Sequence, residues 1–183
     1  MRSAVSENRD RPWLDFRIDE KGLEYARTTQ PAKLAWEAIG GTLLLVATWT
    51  MEARGSSYPA TDDTVFVEHV VISAVLDELI ATCRELARGN PGPHPIVLHG
   101  TPLELLVQAH GEKVKIDVLE YPGYSDNAVT LGSSGMSRSD FLSSIGTFAD
   151  RYLAQLVAEN PSLADHPAAI SIQLEAENLR KRV

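Results

Sequence analysis

The chain has 183 residues, with 17 Lys+Arg against 25 Asp+Glu and a net charge of −8. That length suits one domain with extensions, and the acidic balance argues against a nucleic-acid binder, which needs clustered positive charge to displace counterions from phosphates. The longest apolar run, 43–47, is far short of the roughly 18 residues that suggest a membrane span.

A single cysteine, Cys83, excludes an intrachain disulfide. It sits in an apolar helical pattern, where a cysteine packs as a small hydrophobe, and a reducing compartment is the natural inference. Residues 1–12 are polar and charged, with no apolar core of a signal peptide, and read as a loose arm. The expected setting is the cytoplasm.

In 13–18, Leu14, Phe16 and Ile18 alternate with Asp15 and Arg17, the period of an amphipathic strand. A polar stretch follows, then 33–39, where Leu34, Trp36 and Ala38 share a face. Gly40-Gly41 reads as a two-residue hairpin connection into a long strand over 42–53, whose run 43–47 suggests burial on both faces. Residues 55–63 are a loop rich in Ser, Pro and Asp. From Thr64, an N-cap, a long helix is predicted to end at Gly89-Asn90-Pro91, with Ile72, Val75, Leu76, Leu79, Cys83 and Leu86 as its stripe. The alternative for its beginning, Val65-Phe66-Val67, is a short strand.

After a Pro/Gly-rich turn and a strand at 96–99 comes the strongest pattern in the chain. Val114, Ile116 and Val118 alternate with Lys113, Lys115 and Asp117, and Gly111 can take the positive φ of a tight turn. Strand 113–121 should therefore lie antiparallel to 103–109. A glycine-rich loop at 132–135 leads to Ser137-Arg138-Ser139-Asp140 and a second helix with the stripe Phe141, Ile145, Phe148, Tyr152, Leu156 and Val157. Pro161 stops it, and Pro167 suits the first turn of a third helix carrying Ile172, Ala176, Leu179 and Val183 on one side. The basic run Arg180-Lys181-Arg182 complements the end of that helix. Strands, helix, strands, helices make the class α+β, a mainly antiparallel sheet of about five or six strands packed against two long helices, plus a short C-terminal helix. The expected organisation is an arm at 1–12, a single domain over 13–160 and a helical extension over 161–183.

Little chemistry is attached to this framework. His69, His94, His99, His110 and His166 form no H-x-x-x-H or H-x-H pair, and one cysteine supplies no thiolate cluster, so no metal is expected. His99-Gly100 with 123–127 lacks the G-x-S-x-G turn and crossover helix that a serine nucleophile needs. Gly132-Ser133-Ser134-Gly135 ahead of a helix lacks the lysine and glycine spacing of a phosphate loop, and reads as a flexible connection. Asp62-Asp63 precedes a helix, where negative charge is favourable structurally, and Asp117 and Glu120 are an odd number apart on a strand and point to opposite faces. No cofactor and no catalytic residue is expected.

What stands out is a recognition surface just beyond the hairpin. Tyr121, Tyr124, Asp117, Glu120 and Asp126 combine aromatic anchors with acids. Tyrosines supply large contact area at little entropy loss, and acids steer a basic partner.

The order of elements is similar to the small acidic immunity proteins of bacterial toxin–immunity systems: paired strands, a long helix, the hairpin through Lys113-Val114-Lys115-Ile116-Asp117-Val118-Leu119-Glu120-Tyr121, then Met136-Ser137-Arg138-Ser139-Asp140-Phe141-Leu142 opening a helix. The resemblance covers most of 13–160 as layout, excludes the C-terminal helix, and carries over no functional residue. It implies a non-enzymatic protein that masks a toxin through an acidic, aromatic surface. Two other readings stand beside it: a small-molecule-binding or catalytic domain built from dispersed residues, and a structural subunit docking through its third helix. A homo-oligomer stays open.

Overall fold

The alternation in 13–18 does make a strand, and its partner explains much of the rest. A computed structural model of the chain describes residues 12–50, 64–121 and 127–182. Strand β1 (Leu14–Ile18) lies antiparallel to β2 (Gly40–Val46), which on its other side pairs with β4 (Thr64–Val71). Leu14, Phe16, Ile18, Leu43, Leu45, Val65 and Val67 all turn inward and are buried. One residue, Ala47, separates β2 from β3 (Thr48–Trp49), which joins a second antiparallel sheet. That sheet has the order β3-β8-β7-β6-β5, with β5 at His94–Val97, β6 at Leu103–His110, β7 at Lys113–Glu120 and β8 at Val129–Ser137. Four α-helices complete the described residues: α1 (Glu20–Thr28), α2 (Ile72–Ala87), α3 (Arg138–Glu159) and α4 (Pro167–Arg180). The class is α+β, with two sheets in place of the single one expected.

The hairpin forms as its pattern dictates. His110 pairs with Lys113 and Leu103 with Glu120 around Gly111, whose φ is 63°. Helix α3 opens on Ser137, whose hydroxyl accepts from the Asp140 N–H and donates to the Asp140 carboxylate, satisfying a donor that the first turn leaves free. Its stripe is buried from Phe141 to Leu156, with Val157 at the margin. Phe148 and Tyr152 meet Phe16 edge-on at 4.8 and 5.9 Å, and Trp13 stacks on Phe141. Helix α4 packs Ala169, Ile172, Ala176 and Leu179 into the same core. Gly146 permits the approach, since a Cβ there would stand 3.3 Å from the Ala176 carbonyl. Exposed ion pairs link the elements: Arg27 to Glu159, Arg84 to Glu175, Arg151 to Asp15, and Arg180 to Asp150.

Four expectations are corrected. Residues 64–71 are strand, not the start of the helix, as the alternative for 65–67 had it; His69, at φ 61°, forms a bulge that leaves Glu68 and His69 exposed and returns Val70 to the core. Gly40-Gly41 is no hairpin turn; both begin β2, and the segment before them forms two short 3-10 turns at Pro31–Lys33 and Trp36–Ala38. The glycines at 132–135 belong to β8, where Gly132 leaves room for the Trp49 ring, 2.5 Å from where a Cβ would stand. The run 43–47 is not buried on both faces: Leu43 and Leu45 are buried while Leu44 is half-exposed. Helix α1 was hidden in the polar stretch because it buries only Gly22 and Ala26 and so shows no apolar stripe. The arm at 1–11, the loop at 55–63 and Val183 lie outside the described residues.

At two sheet edges, outward backbone groups are taken up within the fold. At β5 the bonds to β6 run from one alternate set of residues, so Pro95 and Val97 face away from the sheet. Pro95 has no N–H to offer, and the Val97 N–H is taken by the Glu78 carboxylate of α2 at 2.8 Å. The Val97 carbonyl accepts from the His99 N–H. At β1, the Phe16 N–H donates to the Asp15 carboxylate, itself held by Arg151 of α3.

Candidate functional site

Along β6 the inward set Leu103, Leu105, Val107 and Ala109 is buried, as are Val114, Ile116 and Val118 of β7. The opposite set is half-exposed or exposed: Glu104, Leu106 and Gln108, then Lys113, Lys115, Asp117 and Leu119. None of these belongs to the core that the helices share with the inward set. Among the described residues, the five-stranded sheet therefore turns one face to its helices and leaves the other without a covering element.

Tyr121 sits at the end of that face. Its backbone N–H donates to the Pro102 carbonyl at 3.0 Å, continuing the β6–β7 ladder by one step. Its phenol donates to Glu104 Oε1 at 3.3 Å. Removal from water pushes the phenol above its ordinary pKa, and the charge and hydrogen bond of Glu104 add to the rise, so the group stays a donor at neutral pH. Val97, 41% exposed, lies across from Glu104 in the β5–β6 register. Together with Thr101 and Pro102 these residues line an open groove of about 590 Å³. At the other end of the face a second groove of about 520 Å³ is lined by His110, Lys113, Lys115 and Met136. The face is thus acidic and aromatic at one end and basic at the other.

Of the expected patch, Asp117 and Tyr121 share this face, with Leu119 between them by alternation. Asp117 is engaged inside the sheet: it accepts from Lys115 Nζ at 2.7 Å and from the Ser133 hydroxyl. Glu120 pairs with the buried Leu103 and so falls on the opposite alternation. Tyr124 and Asp126 lie outside the described residues. The acid that accompanies the tyrosine is Glu104. Register counted out from Gly111 sets Glu104 opposite Leu119 and diagonal to Tyr121, a signal already present in the pattern.

The remaining constellations resolve into structure. His94 Nε2 lies 3.2 Å from the Asn90 carbonyl, His99 faces Glu78 at 3.4 Å, and His166 caps α4. Among the described residues no three His, Cys, Asp or Glu side chains come together as a metal site requires. Gly132 to Gly135 cradle no helix terminus, since they are strand and the first turn of α3 is closed by Ser137 and Asp140. Burial pushes the Cys83 thiol up to about 12, which removes the thiolate that reactivity needs. Among the described residues no helix is long and apolar enough to cross a membrane. No family model, curated protein or solved structure matches the chain.

Proposed function

We propose that this chain is a protein-binding protein without chemistry of its own, an immunity factor or inhibitor that masks a basic partner, working in the cytoplasm. The observation that supports it best is the open sheet face, ending in a tyrosine whose hydroxyl is already oriented by a carboxylate. A phenol fixed in this way gives up little rotamer freedom on binding, and a buried aromatic with a charged rim is the usual anatomy of an interface hot spot. The net charge of −8 favours encounter with a cationic surface.

Once a partner has been isolated by pull-down, binding kinetics on two variants test the reading. Tyr121→Ala should speed dissociation by about tenfold or more, the size expected of a central aromatic anchor. Glu104→Gln should slow association and flatten its dependence on salt. Parent-like kinetics in both would remove the face from consideration. Docking through α4 is the second reading, favoured by Ile170 and Leu174, one turn apart and 44% and 54% exposed. Partner capture lost in an Ile170→Ser/Leu174→Ser variant, but kept in Tyr121→Ala, would select it.

A further inference from the structure

His166 is placed where three segments meet. It is the N-cap of α4, and its Nδ1 accepts from the Ala168 N–H at 3.1 Å. The same Nδ1 accepts from the Trp36 indole Nε1 at 3.3 Å, and the two rings lie 5.4 Å apart. Behind it, Trp36 leans on Tyr152 of α3, and the Trp36 carbonyl accepts from the Ser73 hydroxyl of α2. Because Pro167 has no N–H, Ala168 carries the first donor that the helix leaves free, and His166 is its partner.

An indole N–H and a backbone N–H can only donate. The atom between them must therefore bear a lone pair, which makes this imidazole neutral with its proton on Nε2. A second proton has one place to go, Nδ1. Arriving there, it expels both donors and sets a positive charge on the N-terminus of a helix, where the dipole opposes it. The ring is half-buried, so water reaches it. The carboxylates of the surrounding elements are Asp165, which precedes it in the chain, and Asp77 of α2, which lines a cleft with Trp36, Ser73 and Ala168. Trp36 and Tyr152 supply no opposing charge.

We infer that His166 is a pH-sensitive latch: in its neutral form it joins α4 to Trp36, and on protonation it releases the first turn of α4 from the rest of the fold. Imidazole is the side chain whose charge changes near physiological pH, and proteins use it as a switch by this means.

The full-length protein, labelled with ¹⁵N, tests this by NMR. At neutral pH the His166 ring should show a bare Nδ1 and a protonated Nε2. On acidification the Trp36 indole and Ala168 amide signals should move together, with one midpoint shared by the ring. At the acidic end, amide exchange over 170–172 should run about fivefold faster than in His166→Asn at the same pH, the shift expected when one N-cap contact is lost. Asparagine keeps an acceptor oxygen at the cap but takes no proton, so in that variant the two signals should stay still. A proton found on Nδ1 at neutral pH would overturn the latch. So would a ring that remains neutral down to acid unfolding, or titration of Trp36 and Ala168 that persists in the asparagine variant.

Discussion

Phe148→Ala is expected to destabilise the protein by about 3–5 kcal/mol, the range for deleting a large buried aromatic from a packed core. Phe148 is 4% exposed, and its ring meets Phe16 edge-on at 4.8 Å. Phe16 in turn touches Tyr152, so one ring from β1 serves two successive turns of α3. Removing Phe148 leaves a void between helix and sheet that neither backbone can close, because α3 is held on its other side by α4. Equilibrium urea unfolding followed by circular dichroism measures the change. A loss below about 1 kcal/mol would show that this side of α3 tolerates a void far better than a packed core does.

Gly41→Ala should cost about 3 kcal/mol, the upper end for forcing extra volume into a packed interior. A Cβ at this position would lie 2.4 Å from the Arg17 carbonyl oxygen and 3.0 Å from Ile72 Cγ1. The first obstacle is backbone of the paired strand β1, which can give way only by breaking the ladder. Its neighbour is the control. A Cβ on Gly40 would find nothing closer than the Asp19 carboxylate at 3.6 Å, an ordinary contact. Gly40→Ala should therefore be neutral or slightly stabilising, since it restricts the unfolded chain. Thermal unfolding of the two variants side by side decides the matter. Equal effects would mean that close approach to β1 is not what position 41 demands.

Those two glycines also show where sequence reading runs out. A Gly-Gly pair serves a hairpin turn and a crowded strand equally well, and nothing local separates the two uses. The bulge at His69 misleads in a related way: by inserting a residue it sets Val67 and Val70 three apart, which continues the helical spacing of α2 backward into β4. In β8 the small residues Gly132, Ser133, Ser134 and Gly135 look like a loop because the bulk that Gly132 accommodates, Trp49, comes from far away in the chain. Where burial has a regular local period, as in β6, β7, α2 and α3, the pattern alone is enough, since each side chain's direction follows from its number. The candidate site divides along the same line. Asp117 and Tyr121 as face-mates follow from alternation, and Glu104 from register. That Asp117 is occupied by Ser133, besides its strand neighbour Lys115, depends on β8 being a strand, which the pattern concealed.

Every polypeptide carries the same backbone, so a strand edge with free donors and acceptors is an invitation to all comers. The closing of β5 by Pro95, Glu78 and His99 withdraws that invitation. Where such groups are taken up, contact with the edge falls to side chains, which differ from one protein to the next. The same closure withholds the β5 edge from a second copy of the chain. Glu78→Ala combined with Pro95→Val should undo it, with light scattering of a concentrated solution rising over hours while the parent stays clear. The residues that take up these backbone groups would then be the ones that keep β5 from pairing with a second copy.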